Sequence, residues 1–193
     1  MKSNITIIIG HPYADSYCAA LSEAYIQGAQ NSGATVRVID LSTIQFDPNL
    51  KYGYHKRTEL EEDLLVAQEA IRWADHLVFV YPTWWGTMPA ILKGFIDRVF
   101  LPGFAFKYRQ NSSLWDKLLK GKSAHLIVTM DTPSWYNRFV YRRAGHRIMK
   151  QATLQFSGVN PVRITEIAPV KSLSEDSRKI WLDKIHKLGA KFA

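Results

Sequence analysis

Two stretches of this chain hold residues whose types and spacing could do chemistry. The first, Gly10-His11-Pro12-Tyr13-Ala14-Asp15-Ser16-Tyr17, follows an apolar run and leads into an amphipathic segment that begins near Ser16. A helix start there offers free backbone N–H groups and a positive dipole end. With the Ser16 hydroxyl alongside, that makes an anion site suited to a phosphate. Asp15 or Ser16 is also a standard helix cap, and capping alone is the simpler account of them. The glycine spacing of a dinucleotide fingerprint or a Walker loop is missing. In the second stretch, Trp84 and Trp85 stand adjacent in a loop between Pro82 and Pro89. Neighbouring residues in such a loop cannot both point into one core. One reading is a rigid wall for a flat ligand such as a flavin ring; the other, compatible with it, is packing at a subunit interface, where aromatic residues are enriched.

The elements that must position these loops are legible as alternating short apolar runs and amphipathic segments. The runs Ile5–Ile9, Thr35–Leu41, Leu77–Tyr81, Ala124–Met130 and Val162–Ile167 read as strands of a mostly parallel sheet covered on both faces. Between them, Cys18, Leu21, Tyr25 and Ala29 form one helical stripe, closing near Asn31–Gly33. A second stripe is Leu60, Leu64, Ala67, Ile71 and Ala74, with Glu59, Glu61, Glu62 and Asp63 in its first turns, where the dipole favours negative charge. A third helix is predicted from Pro89 with Leu92, Phe95 and Val99 inward, and a fourth over roughly 143–156. The last carries Trp181, Ile185, Leu188 and Phe192. Five strands alternating with five helices imply right-handed crossovers and a doubly wound sheet, whose ligand crevice lies beyond the carboxyl ends of the strands. No repeat, low-complexity tract or linker divides residues 1–193, so one domain is expected.

Composition narrows the function classes. The chain has 193 residues, 47% apolar and 22% charged, with a formal net charge of +8. The excess is local: residues 1–100 sum to −3 and residues 101–193 to +11. Arg138, Arg142, His146 and Lys150 recur every four residues with Arg143 and Arg147 alongside, which predicts a helix with a cationic flank unless Gly145 breaks it. Such a flank would dock the phosphates of a dinucleotide or steer anionic substrates, or is simply a solvated face. Nucleic-acid binding needs a reading element as well as charge, and the sequence holds no such motif. Cys18 is the single cysteine, which suits a reducing compartment. Ile5–Ile9 is too short for a signal-peptide core and no run approaches a membrane span, so a cytoplasmic protein without an integral membrane segment is expected.

The stretch PTWWGTMPAILKGFIDRVFLPGFAF, from Pro82 to Phe106, resembles the signature of the flavodoxin-like NAD(P)H:quinone oxidoreductase family, of the DT-diaphorase and modulator of drug activity type. Gly10-His11-Pro12 with Ser16 resembles that family's first flavin-phosphate loop. The resemblance implies an α/β three-layer sandwich with a five-stranded parallel sheet in the order 2-1-3-4-5 and helices on both faces. It also implies a homodimer that passes two electrons from NAD(P)H to a quinone by ping-pong hydride transfer. Carried onto this sequence, His11, Ser16, Tyr17 and Cys18 would line the phosphate and ribityl end, and Pro82, Thr83, Trp84 and Trp85 would contact the isoalloxazine. A third loop, Thr129-Met130-Asp131-Thr132, stands where better-known members have Thr-Thr-Gly-Gly; Thr129 and Thr132 remain as contacts. Asp131 removes the close backbone approach that glycine permits. Tyr136 matches a tyrosine that accommodates charge beside the flavin, and His146 is the candidate for its histidine partner, at a different spacing. Arg178, in Glu175-Asp176-Ser177-Arg178, resembles the arginine that reaches an adenylate, which favours FAD over the alternative FMN. The alternative function is a flavodoxin-like electron carrier or an ancillary regulatory flavoprotein of a membrane transporter.

Overall fold

A computed structural model describes residues 3–53, 55–56 and 58–191. Phe192, the last member of the C-terminal stripe, lies outside the described residues. The chain runs β1 (Asn4–Ile9), α1 (Tyr17–Asn31), β2 (Thr35–Asp40), α2 (Glu62–Trp73), β3 (His76–Pro82) and α3 (Ala90–Val99). It continues through β4 (Phe106–Tyr108), β5 (Trp115–Lys117), β6 (Ser123–Thr129), α4 (Ser134–Phe139), α5 (Ala144–Arg147), a π-helical segment (Ile148–Gln155), β7 (Val162–Ile167), a single 3-10 turn (Val170–Ser172) and α6 (Glu175–Ala190).

The main sheet has the order β2-β1-β3-β6-β7 with every pair parallel, the expected 2-1-3-4-5 topology once the two extra strands are set aside. Alternation along β1 sends Ile5, Ile7 and Ile9 to one face and Ile8 to the other. The first set packs with Leu21, Tyr25 and Ile185 of α1 and α6; Ile8 joins Leu64 and Ile71 of α2 and Leu92 and Phe95 of α3. Register puts the carboxyl ends of β1, β3 and β6 side by side: Ile9 opposite Val80, and Pro82 opposite Thr129. The ladder then carries each chain one residue further, through Gly10 N–H to Val80 O and Thr83 N–H to Thr129 O. That alignment brings three loops to one edge.

Several local expectations are corrected. β4 and β5 pair antiparallel as a small hairpin inside and beyond the GFAF run; three-residue strands are too short to show a period. Pro89 precedes α3 as its cap residue, one position earlier than predicted. Glu59 and Glu61 lie before α2, and Glu61 turns to pair with Arg98. The predicted helix over 143–156 is α5 running directly into the π-helical segment, and α4 was not foreseen.

Two histidines sit inside the sheet. His76 bonds Ser123 Oγ at 2.7 Å and His125 bonds Thr165 Oγ1 at 2.8 Å. Burial depresses His76 to about 3, aided by the nearby His125 and Arg163 charges, and depresses His125 to about 4, aided by Arg163. Both groups bind protons more weakly folded than unfolded, so the unfolded chain takes up protons first and stability falls as pH drops from 6.5 towards 4. Unfolding free energies from urea titrations, measured from neutral pH downward, should decline with a slope approaching about 2.7 kcal/mol per pH unit, and His125→Gln should flatten it by about half.

Candidate functional site

The three loops enclose a cleft of 260 Å³ at the carboxyl edge of the sheet. Its walls are His11, Tyr17 and Cys18 from the first loop, Pro82, Thr83 and Trp84 from the second, and Thr129 to Thr132 from the third. Val170 closes it. Of the residues singled out from sequence, Ser16, Trp85, Tyr136, His146 and Arg178 do not line it.

Ser16 is the N-cap of α1: its Oγ accepts the Ala19 N–H at 3.2 Å. The backbone N–H groups of the first turn, at Tyr17 and Cys18, have no intrahelical acceptor, and both residues line the cleft. The Trp84–Thr87 turn separates the two tryptophans. Trp84 and Thr87 exchange both backbone hydrogen bonds, and the central residues Trp85 and Gly86 take φ of 49° and 77°. A two-residue turn with both central φ positive is the tight hairpin form. It directs Trp84 to the cleft, where His11 meets its ring edge-on at 5.5 Å, and leaves Trp85 fully exposed. His11 Nδ1 accepts the Tyr13 N–H at 3.0 Å, and burial holds its pKa below the ordinary histidine value.

Loop one is tied to loop three by Cys18 Sγ and Thr129 Oγ1, 3.4 Å apart. Burial pushes the Cys18 thiol up to about 11, so it stays protonated and unreactive at neutral pH. On the far rim the Arg178 guanidinium lies 4.9 Å over the Tyr17 ring and donates to Val170 O, while Tyr17 OH donates to Arg178 O. Val170 N–H reaches Met130 O and Lys171 N–H reaches Asp131 Oδ1 at 2.8 Å. These bonds fix the lip of the cleft. Burial raises the Tyr17 phenol pKa, against the lowering by Arg178.

Tyr136 packs edge-on against Trp135 and Tyr141. His146 is buried with Nδ1 at 3.6 Å from Glu166 Oε2, the same oxygen that accepts Asn137 Nδ2 at 2.9 Å. Burial lowers the His146 pKa, Glu166 opposing and Arg143 reinforcing. The continuous cationic helix does not form. The chain breaks between α4 and α5, at Arg142 and Arg143, whose φ are 50° and 54°. Gly145 is not the break: a Cβ there would overlap Gly86 O, so α5 packs directly on the tryptophan turn.

Sequence reasoning missed Met130 and Val170 as lining residues and the Asn137–Glu166–His146 group. Val170 had a signal, since it follows the fifth strand. The polar group had none, because its members meet only through β7. Among the described residues no group of His, Cys, Asp and Glu is arranged to hold a metal.

Comparison with known proteins places this geometry in context. The family described as having a flavodoxin-like fold matches residues 3–188. A ribosyldihydronicotinamide dehydrogenase-like protein of Penicillium crustosum is 32% identical over 151 residues, covering 65% of this chain and 57% of that protein. The chain therefore spans little more than half the length of that relative. The crystal structure of Smu.1420 from Streptococcus mutans UA159 superposes with a TM-score of 0.85 at 35% identity, over 99% of this chain and 100% of that one. The NAD(P)H:quinone oxidoreductase of Methanothermobacter marburgensis superposes with a TM-score of 0.83 at 25% identity, over 99% and 97%. With its sheet order, its crossovers and a family match that runs almost end to end, the chain belongs to the family of the flavodoxin-like fold.

Proposed function

We propose that this protein is a flavin-dependent NAD(P)H oxidoreductase that delivers two electrons to quinones or similar acceptors. The observation that carries the reading is the cleft itself: a helix start, a tryptophan wall and threonine hydroxyls converge on one edge. That donor set fits a flavin. The first-turn N–H groups of α1 suit its phosphate, Trp84 offers a flat face to its ring, and Thr83, Thr129 and Thr132 supply hydrogen bonds at the polar edges. The names of the Penicillium and Methanothermobacter relatives support the same activity.

The chemistry supplied by a bound flavin is hydride transfer from NAD(P)H to the acceptor. The chain's own work is to anchor, flatten and shield. Cys18 and Thr129 hold the first and third loops at a fixed separation, and Asp131 secures the lip through Lys171 rather than approaching the ring. Tyr136 and His146 are positioning residues in this reading: His146 braces Glu166, which holds Asn137 and thereby α4. Arg178 supports FAD. It stands on the cleft rim beside Tyr17 with one donor spent on Val170 O, and an arginine has five N–H groups. We further take the protein as a homodimer, with the exposed Tyr108, Leu114 and Leu118 around the β4–β5 hairpin as its apolar face. A cytoplasmic setting is supported by the single, buried thiol.

Mass spectrometry of the flavin released from purified protein, with steady-state turnover of NAD(P)H and a quinone, tests the proposal. FAD and turnover are expected. Flavin-loaded protein without turnover would leave the electron carrier instead, and protein that takes up neither FAD nor FMN would remove both. Arg178→Ala should weaken FAD about tenfold or more, the loss of one charge-assisted contact, and weaken FMN, which has no adenylate, by less.

A further inference from the structure

Beside the cleft, α4 and the turn after it present an exposed face of aromatic and basic side chains. Asn137 points inward to Glu166. On a helix the residues two places either side of it stand opposite, and these are Trp135 and Phe139, 62% and 69% exposed. Arg138 lays its guanidinium over the Phe139 ring at 5.3 Å. Val140 and Tyr141 follow, both exposed. Arg142 and Arg143 then turn the chain in two successive left-handed conformations, a costly backbone for side chains with a Cβ. Hydrogen bonding of Arg143 N–H to Asn137 O holds that turn. Because Gly145 abuts Gly86, the exposed Trp85 belongs to the same neighbourhood.

Charge decides what such a surface fits. Residues 132–165 contain no aspartate or glutamate, while Arg138, Arg142, Arg143, Arg147 and Lys150 fall within them. Glu166, the first carboxylate after them, is spent on Asn137 and His146. A second copy of this face would bring the same cations together. Aromatic rings interleaved with arginines, with no carboxylate between, instead match the boundary of an anionic bilayer. There Trp and Tyr settle at headgroup level and basic side chains meet lipid phosphates.

We propose that the α4 surface, with Trp85, docks this protein reversibly on anionic lipid. Docking sets the Trp84 side of the cleft towards the bilayer, where apolar acceptors dissolve. That consequence rests on the proposed quinone reduction; the docking does not.

The test is co-sedimentation of the full chain with vesicles of phosphatidylcholine alone and of phosphatidylcholine with phosphatidylglycerol in equal parts. Pelleting is expected with the mixed vesicles only and should fall as salt rises. Arg142→Gly combined with Arg143→Gly keeps a residue suited to positive φ and removes two charges, so binding should weaken about 25-fold, at about fivefold per cation. Trp135→Ser with Phe139→Ser should weaken it at unchanged charge. Turnover of the parent protein with a water-soluble quinone is measured without vesicles, so failure of the reductase reading shows separately from failure of docking. Absence of pelleting with mixed vesicles overturns the proposal. So does pelleting indifferent to both variants, or a dimer that the Trp135/Phe139 variant dissociates without any lipid binding in the parent. Binding of a duplex DNA probe without vesicle binding overturns it in favour of nucleic acid.

Discussion

Replacing Arg98 by alanine should destabilise the fold by about 3 kcal/mol, the lower end of the range for breaking a buried ion pair from one side, because Glu61 is 35% exposed. The guanidinium is 1% exposed and grips Glu61 with both terminal nitrogens, at 2.7 and 3.2 Å. It also donates to the carbonyls of Asp47 and Glu59. Alanine would strand a carboxylate and two carbonyl oxygens around a cavity in the shape of the lost side chain. Arg98→Lys should recover little, because one ammonium cannot span a planar fork of acceptors. The effect reaches the site through α3, whose N-terminal end follows the tryptophan turn and whose Gly94 packs on Pro48 in the anchored segment. Thermal and urea unfolding measure the loss, and limited proteolysis within residues 42–61 should appear in the variant first. Burial pushes the Glu61 pKa up, but N–H donors from Asp47 and its own backbone, with Arg98, hold it below the usual value. A depressed carboxylate stabilises above its ordinary titration range and loses that contribution as pH falls through the folded value. Part of the acid sensitivity should therefore vanish with Glu61→Gln.

Gly28→Ala should cost about 3 kcal/mol despite the better helix propensity of alanine, an overpacking penalty at the upper end of the usual range. A Cβ on Gly28 would overlap His186 O, and one on Gly189 would overlap Tyr25 O. The two glycines let the backbones of α1 and α6 meet. An added methyl must push the helices apart, and those helices carry Tyr17 and Arg178, which stack at the rim of the cleft. Flavin affinity should fall together with the unfolding midpoint. The exposed neighbour Gln27→Ala provides the control, with a change within about 0.5 kcal/mol.

The strands were legible because a parallel strand covered on both faces must be apolar nearly throughout, as Leu77 to Tyr81 are. Ser16 was legible as a cap because its type and its place before the Cys18 stripe agree. Strand and helix alternation directs attention to the loops at the carboxyl edge of the sheet, and those after β1, β3 and β6 line one cleft. The continuous cationic flank failed for an equally physical reason. A period of four in Arg138, Arg142, His146 and Lys150 describes a surface flank only if the backbone stays helical, and two left-handed arginines end that condition.

Chain order and residue type thus determined the layers, the switch point and the chemical character of each loop, since those depend on burial period and local propensity. Which tryptophan faces the cleft was not determined that way. Trp84 and Trp85 are equivalent in one dimension, and only the sign of φ at Trp85 and Gly86 separates wall from surface. Likewise His146 reads as one more cation on a basic flank until β7 brings Glu166 within 3.6 Å of it. That Arg178 stacks on Tyr17 is also not written in the last helix, and follows only because Gly28 and Gly189 let that helix lie against α1. These outcomes belong to tertiary structure because each depends on a partner far along the chain, and no local period records where that partner will stand.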